Sequence, residues 1–215
     1  MTSASGALEV HMTKPDTSYA DANYATGQRP SVSGFCIQTK PIVRPKECKF
    51  VVDKVTQSGL IAGTVLDVSQ VARGEHADPT QYVAQQAYFD PTAPEFRWLF
   101  ARAWPHIQAA AQRLGLEENE LTLRECGRLV RYDVGGHFNW HPDCDGLVGR
   151  QLSVVVQLSR PADYAGGDLL IMGEEGKWGC ANRAQGAVCV FPARAQHRVM
   201  PITKGQRHSA IFWLY

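Results

Sequence analysis

The chain has 215 residues, of which 44% are hydrophobic and 20% charged, with a formal net charge of +1. That length suits one domain with a full core, and the near-zero charge, without a dense Lys/Arg stripe, offers nucleic acid no electrostatic footprint. No apolar run approaches the roughly 18 residues needed to span a bilayer, so neither nucleic acid nor membrane is an expected partner.

Residues 1–34 are rich in Ser, Thr, Ala, Asp, Gly and Tyr and show no sustained apolar period. They read as an extended or disordered arm, or as a segment that drapes over a site. The start, MTSASGALEV, lacks a basic stretch followed by an apolar core, so no export signal is read and a cytoplasmic location is expected. The cysteines at 36, 48, 126, 144, 180 and 189 form no C-x-x-C pair, which fits reduced thiols. GFCIQTKPIV (34–43) has the short apolar spacing of a strand. Pro45 then opens a predicted helix through KECKFVVDKVTQ, with Phe50, Val51 and Val55 on one face. QQAYFD is read as a further strand.

The clearest helical pattern is PEFRWLFARAWPHIQAAAQRLGL, residues 94–116. Phe96, Leu99, Phe100 and Trp104 are spaced for one face, which Ile107, Ala111 and Leu114 continue. Pro105 is expected to kink this helix and Gly115 to stop it. Past residue 120 the texture changes to LTLRECGRLVRYDV, RQLSVVVQLS, GDLLIMG, GAVCVFP and HSAIFWLY, separated by Gly, Pro, Asp and Asn clusters. Short β-branched and aromatic runs of this kind are strands. Helices first and strands after predict an α+β domain, its N-terminal helices packed on an antiparallel two-sheet sandwich or barrel.

The stretch GGHFNWHPD (135–143) concentrates groups able to bind a metal. A helix would align His137 with His141, as in the H-E-x-x-H proteases, but Phe138 stands where the glutamate base belongs. Gly135–Gly136 and Pro142 also oppose a helix. In a strand, residues two apart share a face, so His141 and Asp143 point the same way. His137, beside the glycine turn, is read as a satisfied polar residue outside the metal set. Two arms of a two-His, one-carboxylate site are then in hand. FPARAQHRVMPITKGQRHSAIFW (191–213) adds His197, and ten residues later Arg207, with Ser209 on the same strand face. An arginine holds a carboxylate through two parallel hydrogen bonds.

Taken together, Tyr132, Gly135–Gly136, Phe138, His141-x-Asp143, His197, Arg207 and Trp213 resemble the pattern of the Fe(II)- and 2-oxoglutarate-dependent oxygenases. The branch most similar is prolyl-4-hydroxylase-like, in its bacterial PKHD-type subgroup, and the resemblance is specific over residues 128–215. It implies a double-stranded β-helix, or jelly roll, of two antiparallel sheets. The 35–215 stretch would form a single domain, with helical support over 35–120 and the jelly-roll core over 121–215. It implies that His141, Asp143 and His197 bind Fe(II), that Arg207 pairs with the distal carboxylate of 2-oxoglutarate, and that Ser209, Tyr132 and Gln157 assist. Trp213 and His137 are candidate substrate contacts. With O₂, the implied reaction is hydroxylation of an unactivated C–H bond, with release of succinate and CO₂. The substrate would be a peptidyl residue, a free amino acid or a small metabolite. Gln157 stands where relatives often carry an aromatic, and GAVCVF lacks an acidic residue common after its glycine.

Two other readings accompany this one. A nucleic-acid demethylase would use the same iron chemistry, but the basic surface it needs is absent. A non-catalytic jelly-roll metal-binding module would have no use for a carboxylate clamp ten residues past the distal histidine.

Overall fold

The computed structural model describes residues 36–66, 75–76, 78–144, 149–173 and 176–215, together with Tyr24, Ala25, Gly27, Pro30 and Gly34. The first half holds strand β1 (Ile37–Gln38) and helix α1 (Pro45–Thr56), then β2 (Ile61–Ala62), β3 (Val65–Leu66), β4 (Glu75–His76), β5 (Tyr82–Val83) and β6 (Gln85–Phe89). Helix α2 (Arg97–Leu114) leads into β7 (Gly127–Tyr132), β8 (His137–His141) and β9 (Leu152–Gln157). The remaining strands are β10 (Tyr164–Gly166), β11 (Leu169–Met172), β12 (Trp178–Cys180), β13 (Val188–Pro192), β14 (His197–Val199), β15 (Ile202–Gly205) and β16 (Arg207–Leu214).

Two antiparallel sheets face one another. The major sheet has the order β1-β13-β9-β16-β7-β6-β2, and the minor sheet β12-β11-β14-β8-β5. Apart from β6-β7 and β11-β12, neighbours in each sheet are not consecutive in sequence, the strand exchange of a jelly roll. Residues 35–120, expected as helical support, also give β1, β2 and β6 to the major sheet and β5 to the minor one.

Both helices cover the outer face of the major sheet. Pro45 starts α1, and Glu47 closes a capping box with Arg44. Its buried stripe is Cys48, Val51 and Val55, whereas Phe50 is 42% exposed. Phe50 was expected on the stripe, but adjacent helical residues diverge by about 100°, so it falls beside Val51 and meets Phe96 at 6.3 Å. Helix α2 begins after the expected start and buries Leu99, Ala103, Ile107, Ala110 and Ala111, with Phe100, Trp104 and Leu114 flanking. Small alanines in the stripe let α2 approach the sheet closely, and the large aromatics pack to either side. Pro105 lies inside α2 without ending it, and Gly115 at φ 66° caps it. Among the described residues no helix is long and apolar enough to cross a membrane.

Of the stretch read as an arm, the described part touches the minor sheet. The Cys180 N–H donates to the Pro30 carbonyl at 2.6 Å, and the Tyr24 ring lies 6.2 Å from that of Trp178. The rest of that stretch lies outside the described residues.

Candidate active site

Alternation along the central strands separates packing from chemistry. On β9, Leu152, Val154 and Val156 join the core beneath the helices, while Ser153, Val155 and Gln157 take the opposite face. On β16, Ala210, Phe212 and Leu214 face the helices, leaving Arg207, Ser209, Ile211 and Trp213 on the inner side. Tyr132 from β7 and Cys189 and Phe191 from β13 complete an apolar lining between the sheets. Register opposes Ser153 to Trp213 and Gln157 to Ser209. The interior therefore has two ends, four residues or about 13 Å apart along β9.

The first end is built by β8 and β14, where His141 opposes His197. Farther along, Val199 opposes Phe138, so three steps on β8 match two on β14 and the strand bulges. The bulge turns Phe138 to the side of His141, and their rings stack with centroids 3.3 Å apart. His137, next to Phe138, accordingly points to the other side, its Nδ1 3.0 Å from the Gly135 carbonyl. Beyond Pro142, the N–H groups of Asp143 and Cys144 both donate to the Ala193 carbonyl, at 2.8 and 3.0 Å. This anchors Asp143 just past the strand end.

The protons of both imidazoles are fixed by backbone. His141 Nδ1 lies 2.7 Å from the Asn139 carbonyl and His197 Nδ1 3.0 Å from that of Ala195. A carbonyl only accepts, so each Nδ1 carries the proton and each Nε2 presents a lone pair. His197 Nε2 is 3.5 Å from Asp143 Oδ2, and His141 Nε2 is 4.0 Å from Oδ1. One donor atom from each of the three residues lies within 4.8 Å of the others. Burial pushes the His141 pKa down to about 3, reinforced by His197, so the ring is neutral at neutral pH. Burial by itself raises the Asp143 carboxyl, but His197, His141 and the Ser153 hydroxyl together hold it below its ordinary value. A neutral His141 imidazole and an ionised Asp143 carboxylate are protonation states suited to a divalent metal.

The surroundings of Asp143 are equally specific. Ser153 donates to its Oδ2 at 2.6 Å, and Arg150 donates to its carbonyl at 3.2 Å. Arg150 is gripped by Glu125 and lies over the Trp213 ring, 4.0 Å from the centroid. Trp213 is thus a buried wall at this end.

At the second end, Arg207 is only 3% exposed. A Cβ on Gly167 would come within 2.3 Å of Ile202 Cδ1 and 3.2 Å of Arg207 Cδ, so this glycine (φ +66°) makes room for the arginine stem. Arg207 has a long contact to Ser209 Oγ, 3.5 Å, and lies over the Tyr132 ring at 5.6 Å. Among the described residues no carboxylate pairs with it. A buried guanidinium without an acid calls for an anionic ligand, and this one faces a cavity shared with Gln157, Tyr164, Leu169 and Cys189. Gln157 Nε2 donates to the Tyr164 hydroxyl at 3.0 Å and the Ser159 carbonyl at 3.2 Å.

The structure thus gathers His141, Asp143 and His197 at one end and Arg207, Ser209, Gln157 and Tyr132 at the other, with Trp213 in the wall and His137 turned away. Sequence reasoning missed Ser153. The signal was present: Ser153 is a polar residue in an apolar strand, on the same alternation that singles out Gln157.

Residues 127–215 match the model of the 2OG-Fe(II) oxygenase superfamily. The chain is 36% identical over 90 residues to a PKHD-type hydroxylase of Shewanella sp. (strain MR-7), a match covering 39% of this chain and 40% of that protein. A PKHD-type hydroxylase of Methylobacterium nodulans is 31% identical over 151 residues, 54% of this chain and 66% of the relative. Among solved structures, a prolyl-4-hydroxylase of Pseudomonas putida superposes with a TM-score of 0.62 at 18% identity, covering 85% of this chain and 92% of that one. A Trichoplax adhaerens prolyl hydroxylase in complex with a hypoxia inducible factor peptide fragment gives 0.65 at 16% identity, with 94% of both chains covered. At these identities the structural likeness concerns the fold.

Proposed function

We propose that the chain, whose residues 127–215 match the model of the 2OG-Fe(II) oxygenase superfamily, is an Fe(II)- and 2-oxoglutarate-dependent hydroxylase of the PKHD type. His141, Asp143 and His197 would hold the metal through two Nε2 atoms and a carboxylate, the facial arrangement that leaves positions for a cosubstrate and O₂. Arg207 would hold the distal carboxylate of 2-oxoglutarate. The observation that carries this reading is the pairing of a three-donor cluster with a buried arginine lacking an acid, at opposite ends of one apolar interior.

Fe(II) with 2-oxoglutarate and O₂ supplies the oxidising power for C–H hydroxylation, with succinate and CO₂ as co-products. The chain's own residues do the rest. Backbone carbonyls of Asn139 and Ala195 keep the imidazole protons at Nδ1. Ser153 fixes the rotation of the Asp143 carboxylate. Tyr132, Val155, Cys189 and Phe191 exclude water from the span between the ends, which strengthens the Arg207–carboxylate attraction. The substrate, a peptidyl residue, free amino acid or small metabolite, would reach the metal end, where β8 is only half-buried.

Anaerobic absorption spectroscopy tests the assignment. A weak visible charge-transfer band is expected only when Fe(II) and 2-oxoglutarate are both present. His141→Ala and Arg207→Ala should each abolish it at ordinary cosubstrate concentration; an unchanged band in either variant rules the assignment out.

A further inference from the structure

We propose that Arg183 forms the outer wall of the cosubstrate pocket and sets the longest 2-oxo diacid it admits, with Asp168 and Tyr24 as its positioning residues. The inference rests on the assignment of Arg207 to the distal carboxylate. Arg183 lines the inner cavity together with Arg207, Gln157 and Tyr164. It also lines a wide outer groove with Gln38, Thr39, Lys40 and Asp168. Ala181 and Asn182 line both spaces as well, so the partition is the turn Ala181–Arg183, and Arg183 is its one charged and longest side chain.

The partition is held from several sides. The Arg183 guanidinium lies over the Tyr164 ring, 4.5 Å from the centroid, and the Tyr164 hydroxyl is fixed by Gln157 at 3.0 Å. Arg183 Nη1 donates to Asp168 Oδ1 at 2.5 Å, and Asp168 is 3% exposed. A carboxylate buried to that degree keeps its cation in place, since separation strands an unpaired charge. The second oxygen, Asp168 Oδ2, accepts from the Tyr24 hydroxyl at 2.7 Å. A planar, stacked and doubly anchored guanidinium makes a stiff wall. Stiffness is what lets a pocket measure length, because a yielding wall would move aside for one more methylene. The wall is also cationic, so it faces an anionic cosubstrate without repulsion.

Isothermal titration of the Mn(II)-loaded protein with 2-oxoglutarate and 2-oxoadipate, which differ by one methylene, reads the wall directly and needs no turnover. The unaltered protein should prefer 2-oxoglutarate by about tenfold or more, the usual worth of a methylene in a fitted pocket. Arg183→Ala combined with Asp168→Asn, which leaves no uncompensated buried carboxylate, should cut that preference to about threefold or less by joining cavity and groove. Tyr24→Phe removes one hydroxyl and should lower the preference by about twofold. An unchanged ratio in the double variant, or equal weakening of both diacids, overturns the proposal. If a thermal melt shows the double variant unfolded, an unchanged ratio in Tyr24→Phe overturns it instead. Arg207→Ala separates the two levels: wild-type 2-oxoglutarate binding in that variant removes the cosubstrate assignment itself, whereas its loss alongside an unaltered length preference in the Arg183 variant removes only the wall.

Discussion

Ser153→Ala is the sharpest test of how the metal end is organised. The change deletes one hydroxyl at a fully buried position in the middle of the major sheet. The bond lost is a short 2.6 Å contact to Asp143 Oδ2. Hydrogen bonds of this charge-assisted kind are worth about 1.5–3 kcal/mol. Loss of an outer partner of a metal ligand costs about 10–100-fold in metal affinity, or roughly 1.4–2.8 kcal/mol, so the two estimates agree. The sign in the metal-free state follows from the same bond. Ser153 is one of the groups holding the Asp143 carboxyl down against burial, so its removal raises that pKa and makes a proton a better competitor for the carboxylate. Mn(II) affinity, measured at pH 7 by competition with a chromophoric chelator, should therefore fall by at least about tenfold. The deficit should widen as the pH is lowered. A variant that melts like the wild type and binds Mn(II) with unchanged affinity would refute the claim that Ser153 holds Asp143 for a metal.

Gly167→Ala should destabilise the fold by at least about 2 kcal/mol, since it combines a left-handed backbone with overpacking against Ile202; urea melts check this, and titration should show weakened 2-oxoglutarate binding because Arg207 is displaced too. Arg207→Lys keeps the charge but loses the planar fork, and should weaken 2-oxoglutarate about tenfold by calorimetry. The His208 pKa is pushed down to about 4 by burial, with Arg131 adding to the effect. The unfolded chain then binds the proton more readily than the native one. Its contribution is complete above about pH 6.5 and is lost as pH falls toward 4, up to about 3 kcal/mol. His208→Gln should accordingly flatten the decline in melting temperature across that window, and a decline as steep as the wild type's would count against it.

Two members of the candidate metal cluster, His141 and Asp143, were legible because the pattern that pairs them is local. A glycine pair and Pro142 decide helix against strand within nine residues, and the strand period then places His141 and Asp143 on one face. What the sequence conceals is anything that depends on a register irregularity or on strand exchange. In an unbroken strand His137 and His141 would share a face, and only the bulge opposite His197–Val199 brings Phe138 to the imidazole instead. Arg183, Asp168 and Tyr24 are spread over 160 residues and become neighbours through the docking of Tyr24 beside β12 and the turn after it. No spacing rule links them. Phe50 shows the complementary failure: its hydrophobicity suggested the core, but the geometry of α1 gave that place to Cys48. Polar residues were the more reliable guides. Ser153 and Gln157 share one alternation of a strand whose other members are all aliphatic, and a buried polar side chain there must find a partner. Each found it at a different end of the same interior, Ser153 at the Asp143 carboxylate and Gln157 at the Tyr164 hydroxyl beneath Arg183. The spacing of two polar residues on β9 therefore matches the separation of the His141–Asp143–His197 end from the Arg207 end of the interior.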